Sequence, residues 1–164
     1  MMLEKIHGKI QNWEMARQTV HNWREAGQQV VFTNGCFDLL HYGHIHYLAQ
    51  ARDLGNKLVV GLNADSSVRR LKGPNRPIND EPTRQLLLAA LECVDLVVVF
   101  EQETPFDLIR LLEPNILVKG GDYRPEDIVG ADVVLAGGGV IKTLPYIEGD
   151  STTAIERKIR KEER

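Results

Sequence analysis

The sequence predicts an α/β fold: a Rossmann-like, doubly wound five-stranded parallel sheet with helices on both faces. Three observations carry that reading. Short apolar runs rich in β-branched residues, such as Leu96-Val97-Val98-Val99-Phe100, alternate with segments of helical spacing. The runs lack the polar alternation of a half-solvated sheet, so both faces of the sheet should be covered. A chain of 164 residues, 43% of them apolar, is long enough to bury a core without disulfides or structural metal.

The elements follow in order. Met1 to Lys9 shows no clear pattern and is expected to fray. Trp13, Ala16, Val20 and Trp23 recur at spacings of three and four, which predicts a helix ending near Gly27. Residues 1–27 therefore read as a helical extension, and residues 28–164 as the main domain. Val30-Val31-Phe32 is the first strand; a helix over 43–53 carries Ile45, Leu48, Ala49 and Arg52. Lys57 to Leu62 is the second strand, Arg84 to Cys93 a helix, and Leu96 to Phe100 the third strand. A short helix at Phe106–Leu112 leads to the fourth strand at Asn115–Val118. Residues 126–136 favour helix, Val140 to Leu144 is the fifth strand, and Thr152 to Lys161 a last helix.

Composition excludes several function classes. Twenty Lys and Arg against 23 Asp and Glu give a net charge of −3, against a nucleic-acid-coating role. No run approaches a membrane span. The first nine residues lack the apolar core of a secretory signal. Cys36 and Cys93 stand far apart, and neither a disulfide nor a zinc site is expected. The expected location is the cytoplasm.

Doubly wound sheets bind ligands beyond the carboxyl ends of their strands, so the residues after each strand are the candidates. After the first strand comes Thr33-Asn34-Gly35-Cys36-Phe37-Asp38-Leu39-Leu40-His41-Tyr42-Gly43-His44. His41 and His44 flank a predicted helix start, where free N–H groups and the dipole favour an anion. Gly43 lets a ligand approach the backbone. Two histidines at this spacing lack a third ligand, so no protein-held metal is expected. After the second strand, Asn63-Ala64-Asp65-Ser66-Ser67 leads into the basic stretch Arg69 to Pro77, read as a loop able to close over phosphates through Lys72. Arg84, at the predicted start of a helix, opposes the dipole unless an anion or a nearby carboxylate offsets it. After the fourth strand, Lys119-Gly120-Gly121-Asp122 offers a cation, a bare backbone and an acceptor for ribose hydroxyls. After the fifth, Ser151, Thr152 and Thr153 open the last helix, with Glu156 placed to form a capping box with Thr153.

The His-x-Gly-His segment resembles the signature of the cytidylyltransferase-like nucleotidylyltransferases, and more closely that of the heptose 1-phosphate adenylyltransferases among them. The resemblance extends through Arg70 to Ile78, Val118 to Tyr123 and Gly149-Asp150-Ser151-Thr152-Thr153, and covers about residues 28 to 161. It implies transfer of AMP from ATP to D-glycero-β-D-manno-heptose 1-phosphate, giving ADP-heptose and pyrophosphate for lipopolysaccharide inner-core synthesis. Such a domain often follows a sugar kinase; at this length the stand-alone form is the expectation.

The resemblance assigns His41, His44 and Lys72 to catalysis. Nucleotide binding falls to Thr33, Asn34, Gly35, Cys36, Phe37, Gly43, Arg84, Lys119, Gly120, Gly121, Asp122, Ser151, Thr152 and Thr153. Asp38, Asn63 and Arg76 are assigned to the sugar phosphate. Mg²⁺ is expected to arrive with ATP and keep most of its waters. Where cytidylyltransferases often carry arginine, this chain has Tyr146, which weakens a cytidylyltransferase reading. The alternatives are a cytidylyltransferase acting on glycerol phosphate or a similar ester, and a non-catalytic nucleotide-binding module. The apolar face of the helix carrying Trp13 and Trp23 fits either the domain itself or a second subunit.

Overall fold

The computed structural model describes residues 1–149 and 151–162; Asp150 of the Gly149–Thr153 motif, and residues 163 and 164 of the expected domain, lie outside them. The elements are α1 (Met2–Gly8), α2 (Trp13–Glu25), β1 (Val30–Gly35), α3 (Tyr42–Asp53), β2 (Lys57–Asn63), α4 (Asp65–Lys72) and α5 (Glu81–Ala90). They continue with β3 (Leu96–Phe100), α6 (Phe106–Leu112), β4 (Ile116–Gly120), α7 (Ala131–Ala136), β5 (Val140–Leu144) and α8 (Thr152–Glu162). All five strands run parallel in the order β3-β2-β1-β4-β5. The chain winds outward from β1 to β3, then returns to β4 beside β1. That reversal opens a crevice at the carboxyl ends of β1 and β4.

Alternation along each strand splits the core into two layers. Phe32, Val59 and Val98 face α2, α6 and α7, where Ala16, Val20, Leu108, Ile109 and Val134 are buried. Val31, Val60 and Val97 face the opposite side, with Leu48 and Ala51 of α3 and Leu88 of α5. Among the described residues, no helix is long and apolar enough to cross a membrane.

The N-terminal residues depart from the expectation of fraying. Met2–Gly8 is helical, and residues 9–11 pair with the outer edge of β3: Val97 N–H donates to the Lys9 carbonyl at 2.8 Å and Gln11 N–H to the Val97 carbonyl at 3.1 Å. An edge strand with unpaired backbone is a liability, and this pairing covers it. Asn12 caps α2 by accepting from Met15 N–H at 2.9 Å, and the Trp13 indole donates to the Val99 carbonyl at 2.7 Å. Residues 1–27 thus pack into the same core as the rest.

Other boundaries move as well: β1 runs on through Thr33, Asn34 and Gly35, and β4 through Lys119 and Gly120. The basic stretch is not a loop from Arg69: α4 runs on through Lys72 and stops at Gly73, whose φ of 100° suits glycine. Only residues 73–80 form an irregular strap. Helix α5 begins at Glu81, capped by Asp80, so Arg84 sits inside it rather than at its start. Residues 126–136 divide into a 3-10 turn at Pro125–Asp127 and the short α7.

Candidate active site

A cavity of about 520 Å³ opens at the carboxyl ends of β1 and β4, where the N-termini of α3 and α8 come together. Its walls include His41, Gly43 and His44 from the first and Ser151, Thr152 and Thr153 from the second. His41 is the N-cap of α3, and no side chain caps that helix. Its first-turn N–H groups are thus left for an anion. The two imidazoles stack with centroids 3.8 Å apart, and the Phe37 ring meets His44 edge-on at 5.2 Å. Phe37 holds a positive φ of 46° and is 6% exposed, turning the chain sharply beneath the histidines.

At α8 the hydroxyl of Ser151 accepts from Ala154 N–H at 3.0 Å. Ser151 is therefore the cap, and the capping box expected from Thr153 and Glu156 does not form. Thr152 Oγ donates to the Leu39 carbonyl in the His loop at 3.4 Å, and Thr153 remains on the cavity wall. Lys72, at the end of α4, and Lys119, at the end of β4, supply cations. Among the described residues neither makes an ion pair; Lys119 lies over the Tyr123 ring at 5.6 Å.

Other sequence candidates turn inward. Thr33 is 1% exposed and shares a 2.7 Å hydrogen bond with the Tyr47 hydroxyl, so it braces β1 against α3. The Asp38 carboxylate accepts from Ile78 N–H and Asn79 N–H at 2.8–2.9 Å and from Arg76 at 3.2 Å. It holds the strap to the His loop and has little capacity left for a sugar. Arg76 itself is taken by Asp38 and Glu156. Arg84, fully buried, is taken by three carbonyls and by Asp65, the carboxylate that offsets its charge. Asn34, Gly35, Cys36 and Gly120 line the main cavity, whereas Gly121 and Asp122 line neither this one nor its neighbour.

That neighbour, a cavity of about 400 Å³, shares Asn34, Gly35, Cys36, Lys119 and Tyr146 with the first. Asn63 forms part of its floor, with its amide donating to the Ser67 hydroxyl at 2.8 Å. Glu103 and Thr104 line it too. Neither was a sequence candidate, although both follow the third strand, where the carboxyl-end rule directs attention. Tyr146 stands between the cavities, its ring laid against Gly120 and Gly121; a Cβ on either glycine would meet it within 2.9 Å.

Burial, and then the positive charge that His41 can carry, pushes His44 down to about 4. A stacked, partly desolvated pair of imidazoles resists holding two protons. His44 is thus neutral near pH 7, with one N–H to donate. An NMR titration of the unliganded protein should find His44 uncharged at pH 6 and protonating near pH 4; a midpoint above 6 would mean a wetter, less crowded ring. The unfolded chain takes up a proton near its ordinary value of 6.5 that the native ring refuses, so the His44 contribution is lost as pH falls from 6.5 toward 4. Burial likewise raises the Cys36 thiol, against the pull of Lys72 and Arg84.

For a resident metal the donors do not fit. Among the described residues no three His, Cys, Asp or Glu side chains stand together, and the one buried carboxylate on the wall, Asp38, is already saturated by hydrogen-bond donors.

A family model described as cytidylyltransferase-like matches residues 32–158. The curated protein "Bifunctional protein HldE" of Trichlorobacter lovleyi is 55% identical over 151 residues, which is 92% of this chain and 31% of that protein. The protein of the same name from Wolinella succinogenes is 49% identical over 152 residues, 93% of this chain and 31% of its own. The chain therefore spans about a third of the length of these relatives. Among solved structures, the lipopolysaccharide core biosynthesis protein from Thermoplasma volcanium superposes with a TM-score of 0.59 at 31% identity, covering 76% of this chain and all of that one. A pantoate-beta-alanine ligase from Francisella tularensis, at 14% identity and a TM-score of 0.55, shares the fold.

Proposed function

The chain belongs to the cytidylyltransferase-like family, and from that premise we propose that it is a sugar-phosphate adenylyltransferase. It moves AMP from ATP to D-glycero-β-D-manno-heptose 1-phosphate, releasing pyrophosphate and giving ADP-heptose for the lipopolysaccharide inner core. The observation that carries the reaction type is the meeting of two helix N-termini across one cavity, with the stacked His41 and His44 between them. The heptose and its setting are supported by the motif resemblance and by the 31%-identical structure named for lipopolysaccharide core biosynthesis.

In this reading the triphosphate spans the cavity from α3 to α8. A phosphate oxygen of the sugar phosphate, already anionic, attacks the α-phosphorus of ATP. A new phosphorus–oxygen bond forms as the bond to the β-phosphate bridging oxygen breaks, and that electron pair leaves with pyrophosphate. No general base and no covalent enzyme intermediate are needed. Catalysis is alignment and charge stabilisation. His44 donates its N–H to a non-bridging α-phosphate oxygen, and His41 donates beside it. Lys72 neutralises phosphate charge from α4, and Ser151, Thr152 and Thr153 with the α8 N–H groups hold the leaving pyrophosphate. Mg²⁺ enters as part of the nucleotide substrate, on its own phosphates. The second cavity suits the acceptor: Glu103 and Thr104 offer partners for sugar hydroxyls, and Lys119 stands at the junction with the first.

Pyrophosphate release tests this directly. With ATP and the heptose 1-phosphate the protein should turn over, and CTP or GTP should be slower by about tenfold or more. Turnover with CTP and glycerol phosphate but not with ATP would transfer the assignment to a cytidylyltransferase. Tight ATP binding with no turnover on any acceptor would leave a binding module.

A further inference from the structure

Helix α8 supplies half of the phosphate cradle, yet none of its described side chains is buried. An amphipathic surface helix is ordinarily held through an apolar stripe packed into the core. Here Ile155 is only half-buried and Ile159 is 57% exposed. Two polar side-chain contacts tie the helix elsewhere among the described residues. One is the long Thr152–Leu39 hydrogen bond. The other is an ion pair in which Arg76 Nη2 stands 2.5 Å from Glu156 Oε2.

The opposite edge of that guanidinium reaches Asp38 Oδ2 at 3.2 Å. Arg76 is 15% exposed, Asp38 3% and Glu156 22%, so the triad is shielded from the screening that weakens surface pairs. Asp38 collects two strap N–H groups as well, and its own carbonyl accepts from the Asn79 amide at 2.9 Å. One planar fork thereby joins the strap, the His loop and α8. Lysine carries the same charge without the two-edged geometry.

We propose that Arg76 is a positioning residue that latches α8 to the His loop. Through Glu156 it fixes the distance between the two helix N-termini that grip opposite ends of the triphosphate. The proposal rests on the adenylyltransferase reading. It gives Arg76 no contact with the sugar phosphate. Because packing contributes little at α8, the ion pair decides whether the α8 N–H groups are already in place when ATP arrives.

The variant that separates this role from general support is Glu156→Gln, which removes the α8 anchor and leaves Arg76 on Asp38. Steady-state pyrophosphate release should show the KM for ATP raised about tenfold, with the KM for the sugar phosphate and kcat within about threefold. Arg76→Gln should raise the ATP KM further, Arg76→Lys should recover part of the loss, and adding Glu156→Gln to Arg76→Gln should cost nothing more. If Arg76→Gln fails to fold, Glu156→Gln still decides. A wild-type protein that turns over with an ATP KM unchanged in Glu156→Gln overturns the latch. So does a double variant whose effects simply add. A wild-type protein that releases no pyrophosphate from ATP overturns the underlying reading instead.

Discussion

His44→Ala should lower kcat by about 10²- to 10³-fold while ATP affinity changes by less than about threefold. The asymmetry follows from what the ring does. At neutral pH His44 is uncharged, since burial and His41 push it down to about 4. In the proposed reaction it therefore adds no full charge to ground-state nucleotide binding, which that reading gives to Lys72, Lys119 and the two helix N-termini. Its N–H matters most as negative charge grows on the non-bridging oxygens in the transition state. The donor also comes pre-oriented, held between the His41 ring at 3.8 Å and the Phe37 edge at 5.2 Å. Single-turnover rates with ATP affinity measured by calorimetry give both numbers. Loss of ATP binding equal to the loss of rate would show a uniform binding role, and wild-type turnover would remove His44 from the mechanism.

Much of the fold was legible because its signals are local. β3, α6 and β5 fall where the sequence set them, since a five-residue Val-rich run or a short Leu/Ile-spaced segment admits little sliding. The pairing of residues 9–11 with β3 was not legible. It is made by backbone groups of Lys9 and Gln11, which carry no side-chain code. The reach of α4 to Lys72 was missed for a different reason. Gly73 and Pro74 drew the whole basic stretch into a loop, although Arg69-Arg70-Leu71-Lys72 are all good helix formers and the break comes only at Gly73.

The site divides along the same line. His41, His44, Lys72, Lys119 and Ser151 to Thr153 converge on one cavity, because each lies at or beyond the carboxyl end of a strand. Asp38, Arg76 and Arg84 lie in equally site-like segments and bind one another's elements. Sequence shows that a charge is near a ligand edge. It does not show whether the partner is the ligand or another loop, since Asp38 with Arg76, and Asp65 with Arg84, are separated by 38 and 19 residues. Glu103 and Thr104 carried a usable signal, their place after β3, but no motif to mark them.

Arg84 gives the sharpest test of that distinction. Arg84→Met should destabilise the protein by about 3 kcal/mol, a large part of the ~5–15 kcal/mol that holds a domain of this kind together. The side chain is fully buried and makes four hydrogen bonds: Nε to the Asn79 carbonyl at 3.0 Å, Nη1 to the carbonyls of Cys36 and Asn63 at 2.8 and 2.7 Å, and Nη2 to Asp65 at 2.7 Å. These partners lie on the strap, the turn after β1, the end of β2 and the start of α4. One guanidinium thus closes the floor of the site. Methionine fills much of the volume but leaves the carbonyls without donors. The loss falls at the low end for a broken buried pair because Asp65 is 30% exposed and water can reach its carboxylate. Lysine cannot reproduce the fork, so Arg84→Lys should lose most of the same stability. Denaturant unfolding with and without ATP separates the two roles. A structural arginine lowers the midpoint in both conditions equally, leaving the stabilisation by ATP unchanged. A ligand-binding arginine would leave the ATP-free midpoint near wild type and diminish the shift that ATP produces, and that outcome would return Arg84 to the nucleotide site.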